Sequence, residues 1–230
     1  MKTIESIEIV WEIFCNTAKD HKDEDCVIVV ILSHGENVPF IDEKTGEESH
    51  TILAHDQLSY IHARDKKYPL QTIFKYFTDK NCPTLKNKPR LFFIQACQGD
   101  KLDSGYTLIE RPRRTERDNI GFEPLKMKPV LPHNDYLIAY STLPGFYSFR
   151  NNRLGSWFIR ELCKELNSND GMHDLLGMLT YVTQTVAYDY ESQNYVDDNF
   201  DEKKQIPCIN SYLTKLLYFP KQINQYDESP

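Results

Sequence analysis

The apolar positions of this chain gather into short unbroken runs with polar ends. Cys26-Val27-Ile28-Val29-Val30-Ile31-Leu32, Leu91-Phe92-Phe93-Ile94 and Tyr136-Leu137-Ile138-Ala139-Tyr140 are the three clearest. Runs of this length, rich in β-branched and aromatic residues, predict strands buried on both faces, as in a parallel sheet covered by helices. Helical spacing falls between them. Ile7, Val10, Trp11 and Phe14 stand at i, i+3, i+4 and i+7, predicting a helix over residues 3 to about 19. Pro69 followed by Leu70, Ile73, Phe74 and Phe77 predicts another, with proline in its first turn. Two more are predicted from Leu154 to about Leu166 and from 172 to about 189. Leu58 to Ala63, Pro207 to Leu213 and Lys215 to Phe219 read as further strands. Strands alternating with helices make the chain α/β.

The polar segments complete the outline. Residues 37–58, with Pro39, Gly46 and an acidic cluster, read as a surface insertion or long loop. Residues 98–134 have no periodicity and are rich in charge and proline, as a solvated linker is. Tyr188 to Glu202 reads as an acidic, aromatic loop and Lys221 to Pro230 as a frayed tail.

Composition narrows the classes. At 230 residues, 40% hydrophobic and 27% charged, the chain is an ordinary globular one, with no internal repeat. A net charge of −7 argues against a nucleic-acid binder, despite the basic knot Arg111-Pro112-Arg113-Arg114. No apolar run approaches the roughly 20 residues that span a bilayer. Met1 to Ser6 carries an acidic residue, Glu5, and no apolar core, so no signal peptide is read there. The six cysteines lie far apart without a Cys-x-x-Cys pair, which argues against a disulfide framework or zinc site. No metal and no cofactor is expected, and the expected compartment is the cytoplasm with reduced thiols.

Two strand endings carry chemistry. The run Leu91 to Ile94 stops at Gln95-Ala96-Cys97-Gln98-Gly99. Open α/β sheets bind ligands at the carboxyl ends of their strands, so Cys97 is presented there. The bland alternative is a buried, inert thiol. The run ending at Leu32 continues as Ser33-His34-Gly35-Glu36, a histidine at the same sheet edge. Taken alone, a His-Gly pair is weak and reads as a loop histidine. None of the other six histidines directly ends a buried strand and precedes a glycine.

Gln-Ala-Cys-Gln-Gly matches the local signature of the caspase nucleophile, and Ser33-His34-Gly35 is similar to the family's histidine motif. His34 and Cys97 are 63 positions apart, more than the family's roughly 50, and the 37–58 insertion accounts for the excess. The chain thus resembles an executioner-like caspase over residues 5 to 220. The resemblance implies a three-layer α/β/α sandwich with a mostly parallel central sheet. It implies a cysteine endopeptidase cleaving after aspartate in apoptosis-type proteolysis. Cys97 is then the nucleophile, His34 the general acid and base, and Gly35 and Cys97 the oxyanion-hole donors. Arg150 and Gln95 would hold the substrate aspartate. Tyr147, Ser148, Phe149, Asn151, Trp157 and Phe200 would build the neighbouring subsites, plain core packing being nearly as good a reading for Trp157 and Phe200. Phe149 stands where the family often has tryptophan.

The resemblance also divides the chain. Residues 1–118 match a large-subunit region and 119–230 a small-subunit region of one catalytic domain, with a linker at about 98–134. Asp118 is the candidate processing site and Asp103 a second. Expected partners are proteins with acidic cleavage motifs, a second copy of the large-plus-small unit, and inhibitor-of-apoptosis-type proteins; no nucleic acid or membrane is expected. The family has a further strand and helix ahead of Ile4, carrying another pocket arginine, so the expected fold lacks the first strand and helix. That motivates an alternative, a catalytically weak caspase-like modulator that binds a true caspase. A different Cys-His hydrolase is a third class, which the Arg150 and Gln95 pair argues against.

Overall fold

The structure is a computed structural model that describes residues 23–38, 40–41, 48–49, 58–63, 66–105, 135–151, 153–194 and 196–219. The expected helix at 3–19, most of the 98–134 linker including Asp118, and the C-terminal tail lie outside the described residues.

Among the described residues, the centre is a four-stranded sheet in the order β1 (Val27–Leu32), β7 (Arg90–Gln95), β8 (Tyr136–Tyr140) and β11 (Cys208–Ser211). β1, β7 and β8 run parallel, and β11 closes the row antiparallel. β7 is buried along its whole length. Its residues alternate between two cores, as a strand with both faces covered must. Phe92 and Ile94 face one core with Tyr136 and Ile138 of β8. Leu91 and Phe93 face the other with Leu137 and Ala139.

Among the described residues, three helices supply the outer layers. α1 (Leu70–Tyr76) lays Leu70, Ile73 and Phe74 on the first core. Pro69 stands just before its first residue, where a missing N–H costs nothing. α2 (Trp157–Ser168) and α3 (Leu175–Asp189) cover the second core, with the Asp174 side chain accepting from the Gly177 N–H to cap α3. This is the α/β/α layering expected.

Four expectations are modified. β1 was expected to be buried on both faces, but Ile28, Val30 and Leu32 are 44%, 47% and 56% exposed. The reason is its place: among the described residues β1 is the edge of the sheet, and the second core contains none of its side chains. The 37–58 segment is not simply a loop. β2 (Gly35–Val38) pairs with β5 (Leu58–His62), which pairs with β6 (Lys67–Pro69), and β3 (Phe40–Ile41) pairs with β4 (Glu48–Ser49). Residues 98–105 are likewise tied down, Lys101 bridging Phe146 and Asp103 bridging Lys204. Finally, Lys215–Phe219 is not a strand. Tyr212 N–H still bonds to Tyr136 O at 2.7 Å, and Asp135 N–H to Tyr212 O at 2.9 Å. The Thr214 N–H and hydroxyl then donate to Asp135 Oδ1 at 3.1 and 2.6 Å and turn the chain aside. Leu213, Leu217 and Phe219 instead pack on the second core.

Phe92 is the hub of the first core. Its ring meets Phe74 and Phe77 edge-on at 4.9 and 5.3 Å and stacks on Tyr136 at 5.8 Å. Phe92→Ala should therefore cost about 3–5 kcal/mol of unfolding free energy in urea denaturation. A loss below about 1 kcal/mol would show that the neighbours collapse into the space.

Candidate active site

Parallel pairing of β1 with β7 sets Leu32 opposite Gln95. The pairing continues one step, Ser33 N–H donating to Gln95 O at 3.0 Å. His34 and Cys97 thus leave adjacent strands at equivalent positions, two residues beyond the paired ends. Two bonds hold the histidine end: the Ser33 hydroxyl donates to His62 O, and His62 N–H donates to His34 O at 2.9 Å.

Gly35 explains why glycine follows the histidine. A Cβ there would stand 2.7 Å from the Cys97 carbonyl oxygen, 2.9 Å from the Ala96 Cβ and 3.0 Å from the Tyr60 carbonyl oxygen. Only a residue without a side chain lets the two strand ends approach this closely.

Beyond Cys97 the chain is clasped to the Gly145–Tyr147 segment. Gln98 N–H donates to Phe146 O at 3.0 Å, and Gly145 N–H to Gln98 O at 2.6 Å. Lys101 N–H donates to Gly145 O and Tyr147 N–H to Lys101 O, both at 2.9 Å. Gly99 has φ of 151°, and a Cβ there would lie 2.4 Å from the Gly145 carbonyl. The Ser148 N–H points at the Cys97 sulfur, 3.4 Å away, and Sγ lies 3.8 Å from Ser148 O.

A cavity of about 690 Å³ opens here, and His34, Gly35 and Cys97 all line it. Tyr147 is on its wall. So are Glu36, His62 and Asp100, which sequence reasoning did not single out as site residues. The His62 ring lies 6.5 Å from that of His34, and Glu36 accepts from Lys67 at 2.6 Å with His62 Nε2 at 3.5 Å. The Lys67 bond holds the Glu36 carboxyl below the usual carboxylate range. His62 ends β5, a strand-end signal, but no glycine or family motif follows it.

Gln95, Ser148, Phe149 and Arg150 stand to one side of this cavity. Gln95 Nε2 donates to the Ser148 hydroxyl at 2.6 Å, which donates on to Ser141 Oγ at 2.8 Å. Gln95 Oε1 is buried without a hydrogen-bond partner. Arg150 and Asn151 form β9 (Arg150–Asn151), paired with β10 (Gly155–Ser156), and both are exposed. The Asn151 side chain accepts from the Arg153 and Leu154 N–H groups at 2.9 Å, closing that turn. The four expected aromatics meet in pairs: Tyr147 edge-on to Phe200 at 5.4 Å, and Phe149 stacked on Trp157 at 4.9 Å. Gln205, absent from the expected set, holds the segment from behind. It accepts from Phe149 N–H at 2.6 Å and donates to Ser141 O at 2.7 Å. Only its place in Lys203-Lys204-Gln205-Ile206-Pro207 marked it in the sequence.

The profile of the caspase domain, Peptidase_C14, matches residues 3–218. The chain belongs to the caspase family. It is 44% identical to caspase drICE of Drosophila melanogaster over 203 residues, 88% of this chain and 52% of that protein. It is 42% identical to caspase-1 of Spodoptera frugiperda, over 88% of this chain and 58% of that protein. Caspase-7 of Gallus gallus is 36% identical over 87% of this chain and 57% of its own length. The chain thus spans about half the length of the relatives it matches. The crystal structure of Spodoptera frugiperda caspase-1 superposes with a TM-score of 0.72 at 40% identity, covering 96% of this chain and 74% of that one. The fold is the caspase-like α/β fold. Among the described residues no helix is long and apolar enough to cross a membrane.

Gly35→Ala tests the close approach. The new methyl group must push against two backbone carbonyls, a loss of about 1–3 kcal/mol. Urea denaturation beside wild type should show it, and an unchanged midpoint would mean that the strand ends separate freely.

Proposed function

We propose that the chain carries the catalytic unit of a cysteine endopeptidase that cleaves proteins after aspartate, in apoptosis-type proteolysis. The observation that supports this best is the single cavity onto which His34, Gly35 and Cys97 all open. The Cys97 thiolate attacks the peptide carbonyl, and His34 takes the thiol proton and later gives it to the leaving amine. A thioester forms, the peptide C–N bond breaks, and water hydrolyses the thioester. The Gly35 and Cys97 N–H groups donate to the oxyanion. The Ser148 N–H is aimed at Sγ from 3.4 Å and helps to fix where the sulfur stands.

Arg150 and Gln95 receive the aspartate carboxylate. A guanidinium meets a carboxylate through two parallel N–H bonds. Arg150 turns inward from its exposed place when substrate enters, and the unpaired Gln95 Oε1 is an acceptor for its donors. Tyr147 with Phe200 and Phe149 with Trp157 flank the upstream residues, and Ser148 and Asn151 shape the segment between. Residues 1–118 and 119–230 form one catalytic domain, with Asp118 as the processing site in its linker. Two such units pair, and the β11 edge, with exposed Tyr212, Leu216 and Tyr218 beside it, supports such pairing.

One observation favours a second reading, a weak modulator that binds an active caspase. Arg150 is outside the cavity while Ser148 engages both Gln95 and the Cys97 sulfur.

A biotinylated aspartyl ketone separates the two. The first reading expects a mass adduct on Cys97, absent in Cys97→Ala, and a fall in kcat of at least about a thousandfold in His34→Ala. A folded chain that takes no label and cleaves no acidic tetrapeptide overturns it. Capture of an active caspase by that same inert chain would support the second.

A further inference from the structure

The aromatic pile that starts at Phe149 continues past Trp157. The Trp157 indole, at the start of α2, lies 5.3 Å from the Tyr190 ring at a 38° tilt. Tyr190 follows the last residue of α3. Its hydroxyl donates to Glu161 Oε1. Glu161 is four residues after Trp157 in α2, so both project from the same face.

A carboxylate seldom goes under cover without partners, yet Glu161 is only 6% exposed. Its partners are all present. Lys164 Nζ donates at 2.6 Å, and Arg160 Nε stands at 3.7 Å with its guanidinium 6.0 Å over the Tyr190 ring. Burial, then the bond to Glu161, pushes the Tyr190 hydroxyl up to about 12, so it is a donor throughout the neutral range. The other end of the pile is fixed through the backbone, Phe149 N–H bonding to Gln205.

We infer that Glu161 and Tyr190 are positioning residues, a polar clamp that fixes the Trp157 indole and, through the stack, the Phe149 ring against which upstream substrate residues lie. Its role toward substrate rests on the protease reading; its geometry does not. Stacking alone tolerates sliding and rotation of the rings. The hydroxyl–carboxylate bond removes that freedom, because Glu161 and Trp157 share one helix and move together. A wall ordered beforehand spares the substrate the ordering cost on binding.

The chain has two tryptophans, so a Trp11→Phe background leaves Trp157 as its single indole emitter. Tyr190→Phe keeps the ring and removes the hydroxyl; Glu161→Gln keeps the shape and removes the charge. Both should raise acrylamide quenching of Trp157 about twofold. Both should raise KM for an acidic tetrapeptide about fivefold with kcat nearly constant, the mark of lost uniform binding. KM for a blocked single aspartate, which cannot reach the wall, should stay the same. Unchanged quenching in both variants overturns the clamp, and so does an equal KM rise for both substrates. If wild type cleaves neither substrate, the protease reading fails, and quenching alone decides the clamp.

Discussion

Parallel register between two neighbouring strands is the constraint on which this molecule depends. β1 and β7 are paired residue for residue, Val27 with Arg90 through Leu32 with Gln95. Parallel strands finish at the same sheet edge, so an imidazole two residues past one end must neighbour a thiol two residues past the other. A slip of one residue would turn every β7 side chain to the wrong core and separate the two groups. The alternation of Leu91 and Phe93 against Phe92 and Ile94 resists that slip, since each pair fills a different core. Packing in the middle of the sheet therefore places chemistry at its rim.

At the rim, main-chain groups take over from side-chain packing. Gly35 permits contact with the Cys97 carbonyl, and backbone hydrogen bonds clasp residues 98–101 to 145–147 just beyond the thiol. Behind it runs a buried polar chain through Gln95, Ser148, Ser141 and Gln205. Such networks are costly when half made, because an unsatisfied buried group keeps its full desolvation penalty. Here the unmade position is Gln95 Oε1, next to the segment that bears Arg150.

The strands and their endings were legible in the sequence because they are local. A run such as Leu91 to Ile94 admits few readings, and Gln95-Ala96-Cys97-Gln98-Gly99 is contiguous. The roles of His62 and Gln205 were not legible for the opposite reason. His62 reaches the cavity only through pairing of β5 with β2, and Gln205 meets Phe149 across 56 positions. The open face of β1 was hidden as well: Ile28, Val30 and Leu32 look like core residues in any local window. Whether a face is covered depends on which helices pack there, and residue type does not carry that information. The turn at Thr214 was missed because its cause, the Asp135 carboxylate, lies 79 positions away.

The buried Glu161 shows how a charge can serve shape. Replacing a buried ion network by apolar residues is often neutral for stability, so stability alone does not account for one. A carboxylate does what a leucine cannot: it demands a donor at one place, and Tyr190 supplies it. Hydrophobic contact accepts many ring orientations, whereas a hydrogen bond accepts few. Placing that bond at the far end of the Tyr190, Trp157 and Phe149 pile turns a loose stack into a wall with one geometry. Phe149 follows Ser148, whose N–H points at the Cys97 sulfur, so the pile ends one residue from a contact with that strand end.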